Sequence, residues 1–297
     1  MNPHRGRYPN SFIEGSDTRQ AMWIRTLLIT VAACIPVYFG AGASLLRFGL
    51  EPLVLQHFDS SAQPNAPQFL RISGDDGNAM LVRRYGAARV GCVVFFPGQH
   101  GIIPVYEQNL FPAFSAQGIG VLAVAYPGQN GAPGKPHLPE IMELATRVIA
   151  YAKATCPHHR VVVYGRSLGS MVAAYAAGKS HPTGLILEST APSFSSAIRL
   201  RLNARWYLAP LARLPVSKLV AHDYSLAEAL SSTHDMPAVI FQGTADSETP
   251  LSALRAAGVL GNLRLVVVPG GVHSTTDLLA RDRIVQTTLA MFQTEHT

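Results

Sequence analysis

The stretch Val161-Val162-Val163-Tyr164-Gly165-Arg166-Ser167-Leu168-Gly169-Ser170-Met171-Val172-Ala173-Ala174 decides the fold. Its first four residues read as a buried strand, and its last run of small and apolar residues reads as a helix. Between them Gly165-Arg166-Ser167-Leu168-Gly169 leaves room for nothing but a sharp turn. Glycines two positions either side of Ser167 relieve the collisions such a turn creates, and the serine takes the strained conformation at its apex. A hydroxyl there is exposed at a helix N-terminus. The helix dipole and the free N–H of Leu168 can then stabilise a developing oxyanion.

A serine in that position needs a base and an orienting acid, and both follow downstream. Ala238-Val239-Ile240-Phe241-Gln242 reads as a buried strand, and Asp246 lies in the polar loop Gly243-Thr244-Ala245-Asp246 beyond it. Leu265-Val266-Val267-Val268 reads as another, and His273 closes the loop Pro269-Gly270-Gly271-Val272-His273 after it. Glu188, after Leu185-Ile186-Leu187, is a rival acid or a loop tie. Asp223 and Asp235 flank helical segments and read as solvated. A second oxyanion donor is expected after Cys92-Val93-Val94-Phe95-Phe96, where the backbone N–H of Gln99 in Pro97-Gly98-Gln99-His100-Gly101 is the candidate; His100 would shape the pocket wall.

With these motifs the chain resembles a serine hydrolase of the α/β-hydrolase superfamily, and more narrowly the membrane-anchored α/β-hydrolase-domain proteins. Phe95 to Gly101 is similar to that group's F-H-G-N-x-G loop, and Tyr126 to Gly134 to its Y-R-G-Y-G-x-S-x-G segment. Tyr164 to Gly169 matches its Y-G-R-S-L-G elbow, Glu188-Ser189-Thr190 its E-N-T, and Gly243 to Pro250 its G-x-x-D-x-x-x-P. The likeness covers roughly residues 65 to 295. It implies an esterase, lipase or thioesterase activity and names no substrate. Peptidase activity on the same fold, or a scaffold without turnover, are the alternatives.

The rest of the chain fits an α/β architecture. A length of 297 residues with 48% hydrophobic content buries one large core. Strands are expected near 69–73 and 79–85, joined by the turn Gly74-Asp75-Asp76-Gly77, and then near 91–96, 120–126, 161–164, 185–188, 238–242 and 264–268. Helices are expected near 104–117, 138–153, 168–179, 251–260 and 275–294. This makes an eight-stranded, mostly parallel sheet with helices on both faces. The segment 189–237 breaks the alternation and reads as a short helical lid that would choose substrates.

Thr26 to Leu46 carries no charge over 21 residues, enough to cross a bilayer core of about 30 Å. Arg5, Arg7, Arg19 and Arg25 precede it, so residues 1–25 are expected in the cytoplasm and the hydrolase domain on the far side. The domain reading is 1–25 cytoplasmic, 26–46 transmembrane anchor, 47–68 linker and 69–297 hydrolase. Three rivals stand beside it: a cleaved signal, a buried helix, and a lipoprotein acylated at Cys34 after Val31-Ala32-Ala33.

Cys34, Cys92 and Cys156 are too few and too scattered for a disulfide framework, and Cys92 reads as a small core residue. No phosphate loop, C-x-x-C pair or His-x-x-x-His spacing supports a cofactor or metal, and none is expected. The net charge of +6 lacks the basic runs of a nucleic-acid binder. Arg199, Arg201, Arg205 and Arg213 instead cluster among the leucines, Trp206 and Tyr207 of the lid. They read either as a surface for anionic headgroups, with lipid esters as substrates, or as the solvated face of an amphipathic lid.

Overall fold

The computed structural model describes residues 14–55, 69–74, 77–101, 103–231, 235–259 and 263–293. Parts of the expected cytoplasmic segment (1–13) and linker (56–68) lie outside them. So do Asp75 and Asp76 of the expected turn, 232–234 of the lid, and positions 260 and 294 of two expected helices.

The chain divides into two compact units at Leu45–Leu46. In the first, α1 runs Glu14–Ser44 and contains Pro36. A π-helical turn, Leu45–Gly49, spans the division, and α2 follows at Leu50–Val54. The run Arg19–Val54 is long and apolar enough to cross a membrane, with only 6% of its most apolar window buried. It is longer than the 26–46 expected from charge-free residues alone, because helix continues on both sides of the apolar stretch.

The second unit holds the sheet: β1 (Phe69–Ser73), β2 (Ala79–Tyr85), β3 (Gly91–Phe96), β4 (Ile119–Ala125), β5 (Val161–Arg166), β6 (Gly184–Glu188), β7 (Ala238–Gly243) and β8 (Arg264–Val268). Their spatial order is β1-β2-β4-β3-β5-β6-β7-β8. β2 pairs antiparallel with β1 and β4; every later pairing is parallel. Each residue of β3, β4 and β6 is buried, as is all of β5 except Arg166. That is why these strands read as unbroken apolar runs rather than alternating ones: helices cover both faces of a parallel sheet.

The helices of this unit are α3 (Pro104–Glu107), α4 (Leu110–Ala116), α5 (Leu138–Thr155), α6 (Leu168–Ser180), α7 (Phe194–Asn203), α8 (Val216–Leu219), α9 (Leu226–Leu230), α10 (Leu251–Ala256) and α11 (Thr276–Gln293). Where one helix was expected at 104–117 there are two. Pro112 explains the break: its ring excludes the carbonyl four residues back, so the chain restarts with the proline in a first turn, where no N–H is needed. The lid is a set of short pieces. Ser193 caps α7 by accepting from the Ser196 N–H, and Ser225 caps α9 by accepting from the Glu228 N–H. Asp223, expected in solvent, instead accepts from the N–H and hydroxyl of Ser195 at 2.8 and 2.7 Å and ties α7 to the segment before α9.

The cysteine reading is corrected. Cys92 and Cys156 form a disulfide with Cα atoms 5.9 Å apart. Sixty-four residues separate them, but β3 pairs with β5, so Cys92 stands opposite Val161 and donates its N–H to the Arg160 carbonyl. Strand register brings the end of α5 back beside the start of β3. Cys34 is free and exposed.

Candidate active site

Parallel pairing puts the carboxyl ends of the central strands on one edge. Register aligns Phe96 with Gly165, Arg166 with Glu188, Glu188 with Phe241, and Gly243 with Val268. The loops leaving β3, β5, β7 and β8 therefore open side by side. That edge is where open α/β sheets bind their ligands.

Ser167 sits at the turn between β5 and α6 with φ 53° and ψ −120°, a left-handed conformation that a non-glycine residue adopts only when its surroundings impose it. They do so from both sides. The Ser167 N–H donates to the Glu188 carbonyl at 2.9 Å, and its own carbonyl accepts from the Ser170 N–H and hydroxyl. A side chain at Gly169 would overlap the carbonyls of Phe96 and Pro97, so only glycine lets the first turn of α6 press this closely on the end of β3.

The Ser167 hydroxyl lies 2.9 Å from Nε2 of His273. On the other side of the ring, Nδ1 is 3.0 and 3.2 Å from the two Asp246 oxygens. Asp246 is buried, yet its carboxylate is well supplied with donors. Oδ1 accepts from the N–H groups of Glu248 and Thr249 at 3.0 and 2.9 Å, and Oδ2 from the Thr249 hydroxyl at 2.8 Å and the Gln242 amide at 3.2 Å. Burial pushes this carboxyl up, but His273 and the Thr249 bonds outweigh it and hold the group below the usual carboxylate range. An ionised Asp246 can only accept. Nδ1 therefore carries the proton, and Nε2 presents its lone pair to the serine.

The acid and histidine loops are tied together. Ala245 donates its N–H to the Gly271 carbonyl at 2.9 Å, and a side chain at Gly243 would overlap that same carbonyl. The oxyanion candidates also meet here. Tyr126 donates to the Pro97 carbonyl, the Gln129 amide to the Gln99 carbonyl and the Asn130 amide to the Gly101 carbonyl, so the segment after β4 latches the loop after β3. Among the described residues neither the Gln99 nor the Leu168 N–H donates to another protein group, and Gly98, just before Gln99, lies beside the Ser167 side chain. His100 lines the cleft, and burial, then the Arg201 charge, holds its imidazole below the usual range.

Glu188 does not reach His273. It is fully buried, accepting from the Tyr164 hydroxyl and from the Asp277 N–H, with Nε of Arg166 3.8 Å away. Arg166 was missed as a site residue in the sequence, although it stands inside the pentapeptide. Its Nη2 donates to the His273 carbonyl, so the residue before the serine holds the histidine loop. Glu248, two positions after Asp246, also escaped notice; it lies 3.9 Å from Nε2 of His273.

The expectation for Arg201 changes. It lies in the cleft rather than with the outer arginines: Nη1 donates to the Gln99 side-chain oxygen, and Nη2 stands 3.8 Å from Glu248. Arg199, Arg205 and Arg213 are exposed, as are Trp206 at 88% and Tyr207 at 48%.

Comparison with known proteins agrees with this architecture. An esterase of Pyrococcus furiosus superposes with a TM-score of 0.59 at 15% identity, over 76% of this chain and 90% of its own. A monoacylglycerol lipase of Paleococcus ferrophilus gives 0.51 at 18% identity, over 71% and 99%. The thioesterase domain of the curacin biosynthetic pathway gives 0.53 at 15% identity, over 75% and 99%. At such identities they share the fold. An uncharacterized protein of Mycobacterium tuberculosis, found in two strains, is 29% identical over 193 residues, 64% of this chain. The match spans 65% of that relative's length, less than two thirds of it. The family model of the serine aminopeptidase S33 hydrolases matches residues 87–240, more than half of the sequence, and the chain belongs to that family of the α/β-hydrolase superfamily.

Proposed function

We propose that this chain is a membrane-anchored serine hydrolase that cleaves a carboxylic ester or thioester through an acyl-enzyme. One observation carries the reading: Ser167 Oγ 2.9 Å from His273 Nε2, with Asp246 holding Nδ1 behind it. In this reading Oγ attacks the substrate carbonyl carbon as Nε2 takes its proton. The N–H groups of Gln99 and Leu168 receive the oxyanion. When the intermediate collapses, the bond to the leaving oxygen or sulfur breaks and that atom takes the proton from Nε2. Water, deprotonated by the same nitrogen, then releases the carboxylic acid and restores Ser167. The esterase, lipase and thioesterase names of the structural neighbours favour esters and thioesters over the peptide bonds that the family's name suggests.

Ser167→Ala tests it. Labelling by a small fluorophosphonate and hydrolysis of p-nitrophenyl acetate should both vanish, with kcat falling by several orders of magnitude. Retention of either by the folded variant would refute the nucleophile. Faster turnover of an aminoacyl amide than of any ester by the parent would favour the peptidase reading.

The anchor belongs to the same proposal. The apolar run within Arg19–Val54, preceded by Arg5, Arg7, Arg19 and Arg25, supports a hydrolase domain outside the cytoplasm. The Cys92–Cys156 disulfide supports the same side, since such bonds persist in oxidising compartments. The protein should stay in the pellet on alkaline carbonate extraction, and a reporter fused after Thr297 should read as extracytoplasmic. Release of the intact chain into the supernatant would remove the anchor, and a lipidated N-terminus at Cys34 would replace it with the lipoprotein alternative.

A further inference from the structure

The chain entering the second unit packs on it before the first strand begins. α2 (Leu50–Val54) ends at Leu55, whose N–H donates to the Glu51 carbonyl at 2.8 Å. Glu51, Val54 and Leu55 are spaced i, i+3 and i+4 and share one face of that turn. Val54 and Leu55 are buried, whereas Phe48 and Leu53 are exposed. Glu51 fixes the face in place: Oε2 lies 2.7 Å from Nδ1 of His137, and Oε1 accepts from the Leu138 N–H at 3.2 Å. A carboxylate there meets the positive end of α5, an 18-residue helix. About 20 helical residues cross a bilayer core. The apolar run Arg19–Val54 has 36, so its end is free to serve the hydrolase unit instead.

This face reaches the catalytic serine. Val54 lines a space beside Ser167 and His273, where its apolar neighbours include Leu168, Met171, Phe194 and Ile198. Phe194, which opens lid helix α7, also borders the cleft lined by Leu46, Leu50 and Glu51. α2 therefore lies between the lid and the start of α5. We infer that α2 is a wall of the active site and that Val54 is a specificity-determining residue, sorting esters by the size of the substituent placed against it. This rests on Ser167 as the nucleophile.

The wall is stiff. Val54 is β-branched, so its side chain has little freedom to turn away, and Leu168, Met171, Phe194 and Ile198 are buried beside it. A substituent that outgrows the space forces close-packed side chains apart, and one that underfills it leaves contacts unmade. Both penalties depend on the size of the ester and not on the bond being broken. They therefore change kcat/KM between esters of different length while the chemistry at Ser167 stays the same. Glu51 acts through Val54 as a positioning residue: what holds α2 against α5 also holds the wall.

Two ester series test the wall, on the full chain in detergent with fluorophosphonate labelling to count working sites. p-Nitrophenyl acetate, butyrate and octanoate vary the acyl side; methyl, butyl and octyl acetate vary the alcohol side. In one of the two series Val54→Ala should raise kcat/KM of the long member relative to the short one by about tenfold, since a methylene against an apolar wall is worth roughly 10- to 200-fold. Val54→Leu should lower the same ratio. The series that moves identifies the substituent that meets Val54. Glu51→Ala, which frees α2 without lining the space beside Ser167, should shift the ratio in the direction of Val54→Ala, and the double variant should go little further. A valine that only packs the domain would slow every ester alike, so ratios unmoved in both series while the Val54 variants still label overturn the inference. If neither Val54 variant labels, Glu51→Ala decides alone, and an unmoved ratio there overturns it. Failure of the parent to label is a different result, and removes the Ser167 reading itself.

Discussion

Asp246 and Glu188 are buried carboxylates that follow or end neighbouring strands, and they are held in opposite states. Asp246 is pulled below its usual range because its oxygens accept from His273, two backbone N–H groups, a hydroxyl and an amide. Glu188 is pushed up to about 8, by burial first and then by the nearby Asp277 charge, against the weaker pull of Arg166, Tyr164 and the Asp277 N–H. Burial raises both; at Asp246 the His273 and Thr249 bonds outweigh it, whereas at Glu188 the Asp277 charge adds to it and the donors do not make up the difference. A carboxylate supplied with enough of them stays ionised in the interior, and one with few takes a proton at neutral pH. The first can orient an imidazole; the second can only brace the chain. Arg166 links the two regions, standing 3.8 Å from Glu188 while donating to the His273 carbonyl.

The largest expected effect separates their roles. Asp246→Asn replaces an obligate acceptor beside Nδ1 with an amide that can donate, which favours the tautomer with its proton on Nε2, where it cannot accept from Ser167. A kcat loss on the order of 10³ to 10⁴ is expected on a short p-nitrophenyl ester, the size such a change has at a Ser-His-Asp site. Glu188→Gln keeps the volume and an oxygen for the Tyr164 hydroxyl or the Asp277 N–H, so its loss should be far smaller. Stopped-assay kinetics on both variants, with circular dichroism to check folding, decide the matter. Equal losses, or a larger one for Glu188→Gln, would break the comparison and move the orienting acid to the end of β6.

What could be read from the sequence follows a physical line. Strands such as Val161–Tyr164 and loops such as Pro269–His273 carry local signals, because burial on both faces demands continuous apolar residues and tight turns demand glycine. Those signals put Ser167, Asp246 and His273 at strand ends, and the sheet register brings them within hydrogen-bond distance. Contacts created only by tertiary placement left no such trace. The Cys92–Cys156 bond depends on β3 lying against β5. Arg201 meets Gln99 across 102 residues, and Arg166 meets the His273 carbonyl across 107. In composition Arg201 is indistinguishable from Arg199, and only the phase of α7 turns it inward. Pro112 did carry a local signal for the break between α3 and α4, one that the apolar pattern across 104–117 concealed.

A smaller effect sharpens the comparison through pH. Glu188 binds its proton more tightly in the folded chain than at its ordinary value of 4.5, so between pH 4.5 and about 8 the native state holds a proton that the unfolded chain has released. Stability from this group is complete below the ordinary value and drains as pH rises toward 8. The slope reaches at most about 1.4 kcal/mol per pH unit for one proton. Asp246 runs the other way, its contribution present above its ordinary value of 3.8 and lost only as pH falls. Glu188→Gln cannot titrate and should remove the first trend while leaving the second. Denaturant unfolding in detergent at pH 5, 6, 7 and 8, parent against variant, reads this as a difference in which the titration of groups not coupled to Glu188 cancels. The variant should gain on the parent steadily as pH rises. A difference that stays flat across those four values would mean that Glu188 is ionised throughout and paired to Arg166, and the two carboxylates would then share one state rather than two.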